Sequence, residues 1–295
     1  MNWIVMPVLA GPEMTEAAIS DCLAQSVPVR LLIVNQGVDN AFRERLERIA
    51  DAHDEQIFLW SHEPPLPSLA ATWNRALDFV WQAGGTEALV INNDVRLDPR
   101  TYSILEAVLT WPKTGNLFVT AVAVTQEQYD ARPDPLFDLN PLADPHDNTL
   151  PLSKGGPDFS CYMISKTCHE VYRFDEAFIP AYCEDLDYHR RLMLGGDGDK
   201  IFSINLPYLH LAAQTLKQID PQQRMKIERQ IGQGSRAHYE KKWGGPVNQE
   251  TYTVPFGGGF SEPNKVTDGS ASTPALQRAL AGPPINELTK RMLEK

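Results

Sequence analysis

The chain has 295 residues, and its 27 Lys and Arg against 38 Asp and Glu give a formal charge of −11 at pH 7. This acidic balance disfavours general binding to nucleic acids or anionic membranes, because both partners select for a positive protein surface. Hydrophobic residues make up 42% and charged residues 22% of the chain, which excludes a wholly disordered protein and predicts a buried core.

Neither a membrane span nor a secretory leader is predicted. The chain has no apolar run of the roughly 18 residues that a transmembrane helix needs. Its first apolar stretch, Trp3–Ala10, lacks a preceding basic segment and is interrupted by Pro7, so we expect a cytoplasmic protein. The cysteines are Cys22, Cys161, Cys168 and Cys183. None of them forms a C-x-x-C pair, which predicts buried thiols and neither a zinc ribbon nor a disulfide framework.

The first half of the chain alternates short apolar runs with segments of helical periodicity, a pattern typical of βαβ units and a mostly parallel sheet. The predicted strands are Trp3–Leu9, Arg30–Asn35, Gln56–Trp60, Glu87–Asn92 and Asn116–Val124. The predicted helices between them are Glu13–Gln25, Asn40–Ala52, Leu69–Gln82 and Pro99–Leu109.

The second half is less regular. Thr125–Pro157 is rich in Pro, Asp and Asn, which predicts a long loop with no regular element. Beyond it we predict strands at Phe159–Ser165 and Lys200–Ile204 and helices at Lys166–Tyr172, Glu184–Leu194 and Gln222–Lys242, the last ending at Gly244. A shift to Gly, Ser and Pro then predicts one main domain over residues 1–254 and a Gly/Pro-rich linker with a short helical tail over 255–295.

Three polar residues, Asn92, Asn93 and Asp94, follow a buried apolar strand directly. In open α/β sheets ligands bind beyond the carboxyl ends of the strands, and oxygen-rich side chains there suit a hard cation that also holds a diphosphate. The alternative is an Asx-rich turn that only precedes the next helix.

Two further sites could carry chemistry. Glu184 and Asp185 begin a predicted helix, where a carboxylate can act as a general base but is also favoured simply by the helix dipole. His210 follows the last predicted strand, where a histidine is either a metal ligand or a hydrogen-bonded structural residue.

Taken in chain order, these stretches resemble the family 2 glycosyltransferases, which are inverting nucleotide-sugar enzymes, over about Trp3 to Gly245. The motifs that carry the resemblance are Pro7-Val8-Leu9 at the end of the first strand, Asn35-Gln36-Gly37-Val38-Asp39 after the second, the helix with Ser68 and Asn74, Asn92-Asn93-Asp94, Gly155-Gly156-Pro157-Asp158-Phe159, Phe174-Asp175-Glu176 with Glu184-Asp185, His210, and Lys242-Trp243-Gly244. Each motif alone is weak, whereas the ordered set is specific.

The resemblance implies an α/β fold of the GT-A type, a Rossmann-like mixed and mostly parallel sheet flanked by helices. It implies a nucleoside-diphosphate sugar as donor, a hydroxyl acceptor, and a divalent cation, Mn²⁺ or Mg²⁺, bound by Asp94 and His210. Asp185 would be the general base, and Glu184 would help to position it beside the acceptor.

Further roles follow from the same resemblance. Pro7, Val8, Leu9 and Asn35 would line the nucleobase pocket. Ser68 and Asn74 would lie at a strand–helix junction near the phosphates, with Asn92 and Asn93 beside Asp94. Gly155, Gly156 and Asp158 would form part of the acceptor side.

The sequence departs from the family pattern in three of its motifs. Asn35 and Gln36 occupy the place of acidic residues after the second strand, and since amides both donate and accept, uracil, thymine and guanine remain open as bases. Asn92 replaces the first acid of the D-x-D element and lowers the negative charge of the metal site. Ser68 stands where the family often has glycine.

The same sequence bears on three other possible functions. A noncatalytic binding protein on the same scaffold stays open because of Asn35 and Asn92. A dinucleotide fingerprint at Gly232–Ala237 follows a helix instead of a strand, so its context fails. A nucleotidyltransferase would need a basic glycine-rich loop after the first strand, which is absent from the sequence. The acceptor could be a glycan, a lipid-linked sugar, a protein or a nucleobase, and the oligomeric state is open.

Overall fold

The computed structural model of the chain describes residues 1–62, 64–111, 115–131, 149–151, 159–211 and 221–258. Its strands are β1 (Trp3–Val8), β2 (Arg30–Asn35), β3 (Ile57–Ser61), β4 (Glu87–Ile91), β5 (Val95–Arg96), β6 (Phe118–Val124), β7 (Thr149–Pro151), β8 (Cys161–Ser165) and β9 (Ile201–His210). Its α-helices are α1 (Pro12–Leu23), α2 (Asn40–Ala52), α3 (Leu69–Gln82), α4 (Thr101–Leu109), α5 (Gln126–Asp130), α6 (Lys166–Val171), α7 (Glu184–Leu194), α8 (Pro221–Gln230) and α9 (Arg236–Trp243).

The described strands form one mixed sheet in the order β3-β2-β1-β4-β8-β6-β9-β5, with β7 paired to β9. Strands β1, β2, β3 and β4 pair in parallel, and β6 and β9 form a second parallel pair. Strand β8 lies antiparallel between β4 and β6, while β5 and β7 run antiparallel to β9. The predicted mixed and mostly parallel sheet is confirmed.

Helices cover both faces of the sheet. Along β1, Ile4 and Met6 face one buried apolar cluster, and Trp3 and Val5 face another. This alternation follows from the period of two in a strand, and a central parallel strand buried on both faces is apolar throughout. Helices α1, α2 and α4 pack on the first face, and α3, α6 and α7 pack on the second.

The strands and helices predicted in the first half agree with the structure to within two residues at each end. The main corrections fall later in the chain. Thr125–Pro157, predicted as irregular, contains α5, which a Thr125–Gln128 capping box starts, and strand β7. Strand β9 extends to His210, beyond the predicted end at Ile204, because its ladder continues beside β6 through Leu209.

The long helix predicted over Gln222–Lys242 is two helices, α8 and α9, joined by a π-helical turn at Ile231–Ser235. Its end at Gly244 is confirmed, since that residue adopts the left-handed conformation at φ 73° that glycine accepts without a Cβ clash. The four cysteines are buried and free, as predicted.

Two other predictions concern the chain as a whole. Within the described ranges, none of the helices has both the length and the apolar character needed to cross a bilayer. The predicted linker and tail lie mainly at residues 259–295, outside the described residues, so the domain boundary at 254 stays a prediction.

Candidate active site

A cavity of about 420 Å³ opens at the carboxyl ends of β1 and β4. In open α/β folds, ligands bind beyond this edge of the sheet. Residues from five predicted motifs line it together, namely Pro7, Val8, Leu9, Ser68, Asn92, Asn93, Asp94, Glu184, Asp185 and His210.

Asp94 and His210 meet at one side of this cavity. The Oδ1 atom of Asp94 lies 3.4 Å from Nε2 of His210, and their side chains are 6% and 20% exposed. The antiparallel pairing of β5 with β9 brings them together, because Val95 lies opposite His210 and the amide of Leu211 donates to the carbonyl of Asp94 at 2.9 Å. The two-residue strand β5 therefore fixes the relative position of this pair.

The two asparagines before Asp94 anchor the surrounding loops. Asn93 donates from Nδ2 to the carbonyl of Ala10 at 2.7 Å and to Oγ1 of Thr15 at 2.8 Å, which ties the β4–β5 turn to the start of α1. Asn92 donates to Oγ of Ser160 at 3.2 Å, and this hydroxyl also lies 3.3 Å from Nδ1 of His210. The sequence reading missed Ser160, and its only signal was a polar residue at the start of an apolar strand.

Glu184 and Asp185 enter the cavity from the N-terminus of α7. The turn before them places two consecutive non-glycine residues, Tyr182 at φ 74° and Cys183 at φ 70°, in the left-handed region. Such backbone is costly for residues with a side chain and occurs most often at functional sites. The helix start therefore projects both carboxyl groups toward the open ends of the strands.

The two carboxyl groups have different surroundings. Glu184 is 4% exposed, and its Oε2 atom is buried without a hydrogen-bond partner. Burial, and then the charges of Asp185 and Asp187, raise the pKa of Glu184 well above its ordinary value. Asp185 is half-buried and accepts from the amide of Leu186 at 2.8 Å.

A buried ionic network holds α7 from behind. The Lys242 ammonium lies 2.6 Å from Oδ2 of Asp175 and 2.7 Å from Oδ1 of Asp187. Asp187 also accepts from Arg191 at 2.8 Å and from the indole of Trp243 at 2.9 Å. This contact explains why the F-D-E, E-D and K-W-G motifs occur together, since Lys242 joins the helix that carries Asp185 to the F-D-E segment.

The neighbours of Asp175 in this network lower the pKa of its carboxyl group. Burial alone would raise the pKa of Asp175, but the charges and hydrogen bonds of Lys242 and His238 outweigh it and hold that pKa below its ordinary value. His238 contributes through Nε2, which lies 3.1 Å from Oδ2 of Asp175. Asp175 is therefore ionised inside the protein.

Asn74 and Asn35, expected near the donor, do not line the cavity. Asn74 binds the F-D-E segment instead, donating to the carbonyl of Phe174 at 2.9 Å and to Oε1 of Glu176 at 2.8 Å. Asn35 accepts from the amides of Gly37 at 2.9 Å and Val38 at 3.1 Å, which is an Asx turn. Its neighbour Gln36 lines the cavity instead.

Other expected residues fall into two groups. Ser68 caps α3 by accepting from the amide of Ala71 at 3.1 Å, and it also lines the cavity. Gly155, Gly156 and Asp158 lie outside the described residues. Lining residues that sequence reasoning missed are Gln36, Trp73, Tyr182, Ile227 and Ile231. Ile227 stands on α8, which is exposed over most of its length, and Ile231 begins the π-helical turn after it, so the sequence pattern gave no signal of a cavity.

The side chains present fit a divalent cation bound together with a phosphate ligand. The described residues contain no group of three or more His, Cys, Asp or Glu arranged to hold a metal alone. However, Mg²⁺ commonly uses only one or two carboxylates and takes its remaining ligands from water and substrate phosphates. A carboxylate and an imidazole 3.4 Å apart at a cavity wall supply such a partial set.

Solved structures share this architecture. Glucosyl-3-phosphoglycerate synthase from Mycobacterium tuberculosis, in complex with Mn²⁺, UDP and phosphoglyceric acid, superposes with a TM-score of 0.51 at 18% identity, over 78% of this chain and 75% of that one. The chain has the GT-A fold. A second solved structure, described as a mycobacterial protein, gives a TM-score of 0.52 at 16% identity over 78% of this chain and 72% of that one. No protein-family model and no curated protein matches the sequence significantly.

Proposed function

We propose that the protein is an inverting family 2 glycosyltransferase that uses a divalent cation and a nucleoside-diphosphate sugar. One observation carries the proposal. The Asp94–His210 pair and the Glu184–Asp185 pair, which lie far apart in sequence, line the same cavity at the ligand-binding edge of the sheet. A site for a diphosphate and its cation thus lies beside a candidate base.

The comparison with a solved enzyme supports the donor class. The M. tuberculosis synthase, which shares the fold, has been solved with Mn²⁺, UDP-glucose and phosphoglyceric acid. In this chain Pro7, Val8, Leu9 and Gln36 would face the nucleobase and ribose. Ser68, Asn92 and Asn93 would border the phosphates, and Asn35 and Asn74 would act by holding the neighbouring loops.

Asp94 and His210 would hold the cation, Mn²⁺ or Mg²⁺. When bound, the cation supplies Lewis-acid stabilisation of the negative charge that develops on the leaving diphosphate. Asn92 would add an uncharged amide where a second carboxylate would strengthen binding, so the affinity for the free ion would be modest. Nucleotide and cation would then bind best together.

Asp185 would act as the general base. It would take the proton from the acceptor hydroxyl as that oxygen forms a bond to the anomeric carbon on the face opposite the diphosphate. The bond from the anomeric carbon to the diphosphate oxygen breaks, and its electron pair leaves with the nucleotide. A single displacement of this kind inverts the anomeric configuration. Glu184, protonated by its burial, would orient Asp185 and the acceptor.

The remaining roles complete the proposal. Gly155, Gly156 and Asp158, together with the tail after residue 254, would border the acceptor. The four reduced cysteines fit a cytoplasmic setting, where thiols persist.

Slow donor hydrolysis tests the proposal without a known acceptor, because water can take the place of the acceptor hydroxyl. The protein would be incubated with UDP-glucose, GDP-mannose and dTDP-glucose, each with Mn²⁺ or EDTA, and the anomeric protons of the released sugar followed by NMR. We expect Mn²⁺-dependent release of the β-anomer first from one of these α-linked donors. First release of the α-anomer would contradict inversion, and no release from any donor would favour a noncatalytic binding protein.

A further inference from the structure

One wall of the cavity is apolar. It consists of Pro180, Ala181 and Tyr182 from the turn before α7 and of Ile227 and Ile231 from α8 and the π-helical turn. We call these five residues the apolar wall. Ligand pockets are mostly lined by apolar side chains with a few polar groups, and the apolar part contacts the body of the ligand.

The apolar wall is a packed unit. Ser235 donates from Oγ to the carbonyl of Ile179 at 3.1 Å, so the π-helical turn is bonded to the chain that precedes Pro180. A Cβ on Gly234 would come within 2.9 Å of the same carbonyl oxygen, which only glycine avoids. π-Helical turns within α-helices occur frequently at functional sites, and this one places Ile231 at the cavity.

Tyr182 places this wall beside the reacting groups. Its side chain is 46% exposed while also lining the cavity. Burial, and then the charges of Glu184, Asp94 and Asp185, raise the pKa of its phenol, so the ring lies within electrostatic reach of both candidate pairs. A molecule resting on Tyr182 would therefore have its hydroxyl close to Asp185.

The ionisable residues that line the cavity disfavour an anionic acceptor. The ionisable lining residues in the described part of the chain are Asp94, Tyr182, Glu184, Asp185 and His210, with no Lys or Arg among them. Arg236 lies close enough to lower the pKa of Tyr182 but does not line the cavity. The cation at Asp94 would be neutralised by the donor diphosphate. Among the described lining residues, a phosphate or carboxylate on the acceptor would thus meet the acidic group of Asp185 and no Lys or Arg.

We propose that the acceptor is an uncharged glycoside, whose ring or aglycone presents an apolar face to the apolar wall while one of its hydroxyls points at Asp185. This inference rests on the proposed function and names its acceptor class. It also separates the chain from the synthase of the same fold, which binds phosphoglyceric acid.

Calorimetry with two probes tests the proposal. Binding of UDP with Mn²⁺ is measured first, so that failure of the proposed function is detected separately. p-Nitrophenyl β-glucoside and 3-phosphoglycerate are then titrated into the protein–UDP–Mn²⁺ complex. We expect the glucoside to bind at least about tenfold more tightly than the acid. Equal or tighter binding of the acid, or no binding of the glucoside to a complex that holds UDP, overturns the proposal.

Variants locate the bound glucoside. Tyr182→Ala and Ile227→Ala should each weaken glucoside binding at least about fivefold while UDP affinity is kept, and Tyr182→Phe should retain it because the ring remains. Ile227→Lys should reverse the preference toward 3-phosphoglycerate by supplying a cation. Arg236→Gln is the control and should leave glucoside affinity unchanged. Insensitivity of glucoside binding to Tyr182→Ala and Ile227→Ala together would overturn the assignment to this wall.

Discussion

Two adjacent carboxyl groups at the start of α7 experience different surroundings. Glu184 is buried with an unpaired oxygen, and its pKa is raised, whereas Asp185 is half-buried at the cavity. Paired acids whose environments separate their protonation states commonly divide the work of catalysis. The raised pKa of Glu184 reduces the negative charge beside Asp185, which suits a general base at Asp185.

Asp185→Asn should lower kcat about 100-fold or more, because the amide cannot accept the acceptor proton. The affinity for the nucleotide with Mn²⁺ should stay within about twofold, since the diphosphate would be held at Asp94 and His210. Steady-state kinetics and calorimetry measure the two quantities. If Asp185→Asn keeps more than about a tenth of the wild-type rate, Asp185 is not the general base. Glu184→Gln is the matched control at the neighbouring carboxyl group.

At the residue scale, the family resemblance pointed to side chains that the structure places in one cavity. That resemblance implied the pair of Asp94 and His210, and only the β5–β9 register shows how they meet. Asn35 was assigned to the cavity, but its amide closes an Asx turn and Gln36 lines the cavity instead. Local hydrogen bonding determines which of the two neighbouring amide side chains lines the cavity, and their spacing in the sequence does not distinguish them.

At the scale of elements, α9 fixes the orientation of α7. Lys242 is 5% exposed and lies between two buried carboxylates, one on α7 and one on the F-D-E segment. Trp243 adds an indole hydrogen bond to the same Asp187. The helix that carries Asp185 is therefore positioned by a lysine more than fifty residues further along the chain.

Lys242→Met should destabilise the protein by about 3 kcal/mol, because it leaves Asp175 and Asp187 buried with fewer partners. Urea unfolding measures this change, and the exposed Lys241→Met is the control, with an expected effect below about 0.5 kcal/mol. Where the variant folds, kcat should fall with little change in nucleotide affinity. Restoration of stability by adding Asp175→Asn and Asp187→Asn would support the account, and an unchanged unfolding free energy for Lys242→Met would contradict it.

The elements were predictable in the first half because each helix there buries a regular apolar stripe on one sheet face. The helices α8 and α9 were predicted as one, because the two isolated glycines of the π-helical turn, Gly232 and Gly234, are tolerated within a helical pattern. Strand β5 has two residues, and its pairing with a strand more than a hundred positions away leaves no periodic signal. The short strands β5 and β7, which pair with the distant β9, were therefore among the elements that the sequence pattern did not predict.

The molecule as a whole is stabilised by apolar clusters on both faces of the sheet, with one histidine buried in the polar network that crosses α3. His169 accepts from the indole of Trp81 at 2.9 Å, and its other ring nitrogen lies 3.1 Å from Oδ1 of Asn74. Burial, and then the charge of Arg173, lower the pKa of His169 to about 3. The neutral ring with its proton on Nε2 satisfies both hydrogen bonds.

His169 should make the protein lose stability in acid. Its pKa in the folded state lies below the ordinary value of 6.5, so the stabilisation is present above pH 6.5 and is lost progressively as the pH falls toward 3. At pH 5 the loss should be about 2 kcal/mol relative to pH 7. Unfolding of the protein and of His169→Gln at both pH values tests this, because the amide does not titrate. Equal pH dependence in the two proteins would contradict the assignment.

The overall fold was the part of the molecule that the sequence predicted best, since alternating strands and helices leave few arrangements for a parallel sheet. The cavity wall at Ile227 and Ile231 was predicted least well, because these residues lie far in sequence from the other lining residues, and the Ser235–Ile179 hydrogen bond joins their segment to the turn before α7.

The proposed cation site at Asp94 and His210 is the feature on which the whole account depends, and calorimetric titration of UDP and GDP tests it most directly. We expect one nucleotide to bind the wild-type protein at least about tenfold more tightly with Mn²⁺ than with EDTA, and Asp94→Ala to abolish that difference. Nucleotide binding that is the same with Mn²⁺ and with EDTA, or that keeps its Mn²⁺ dependence in Asp94→Ala, would contradict the account.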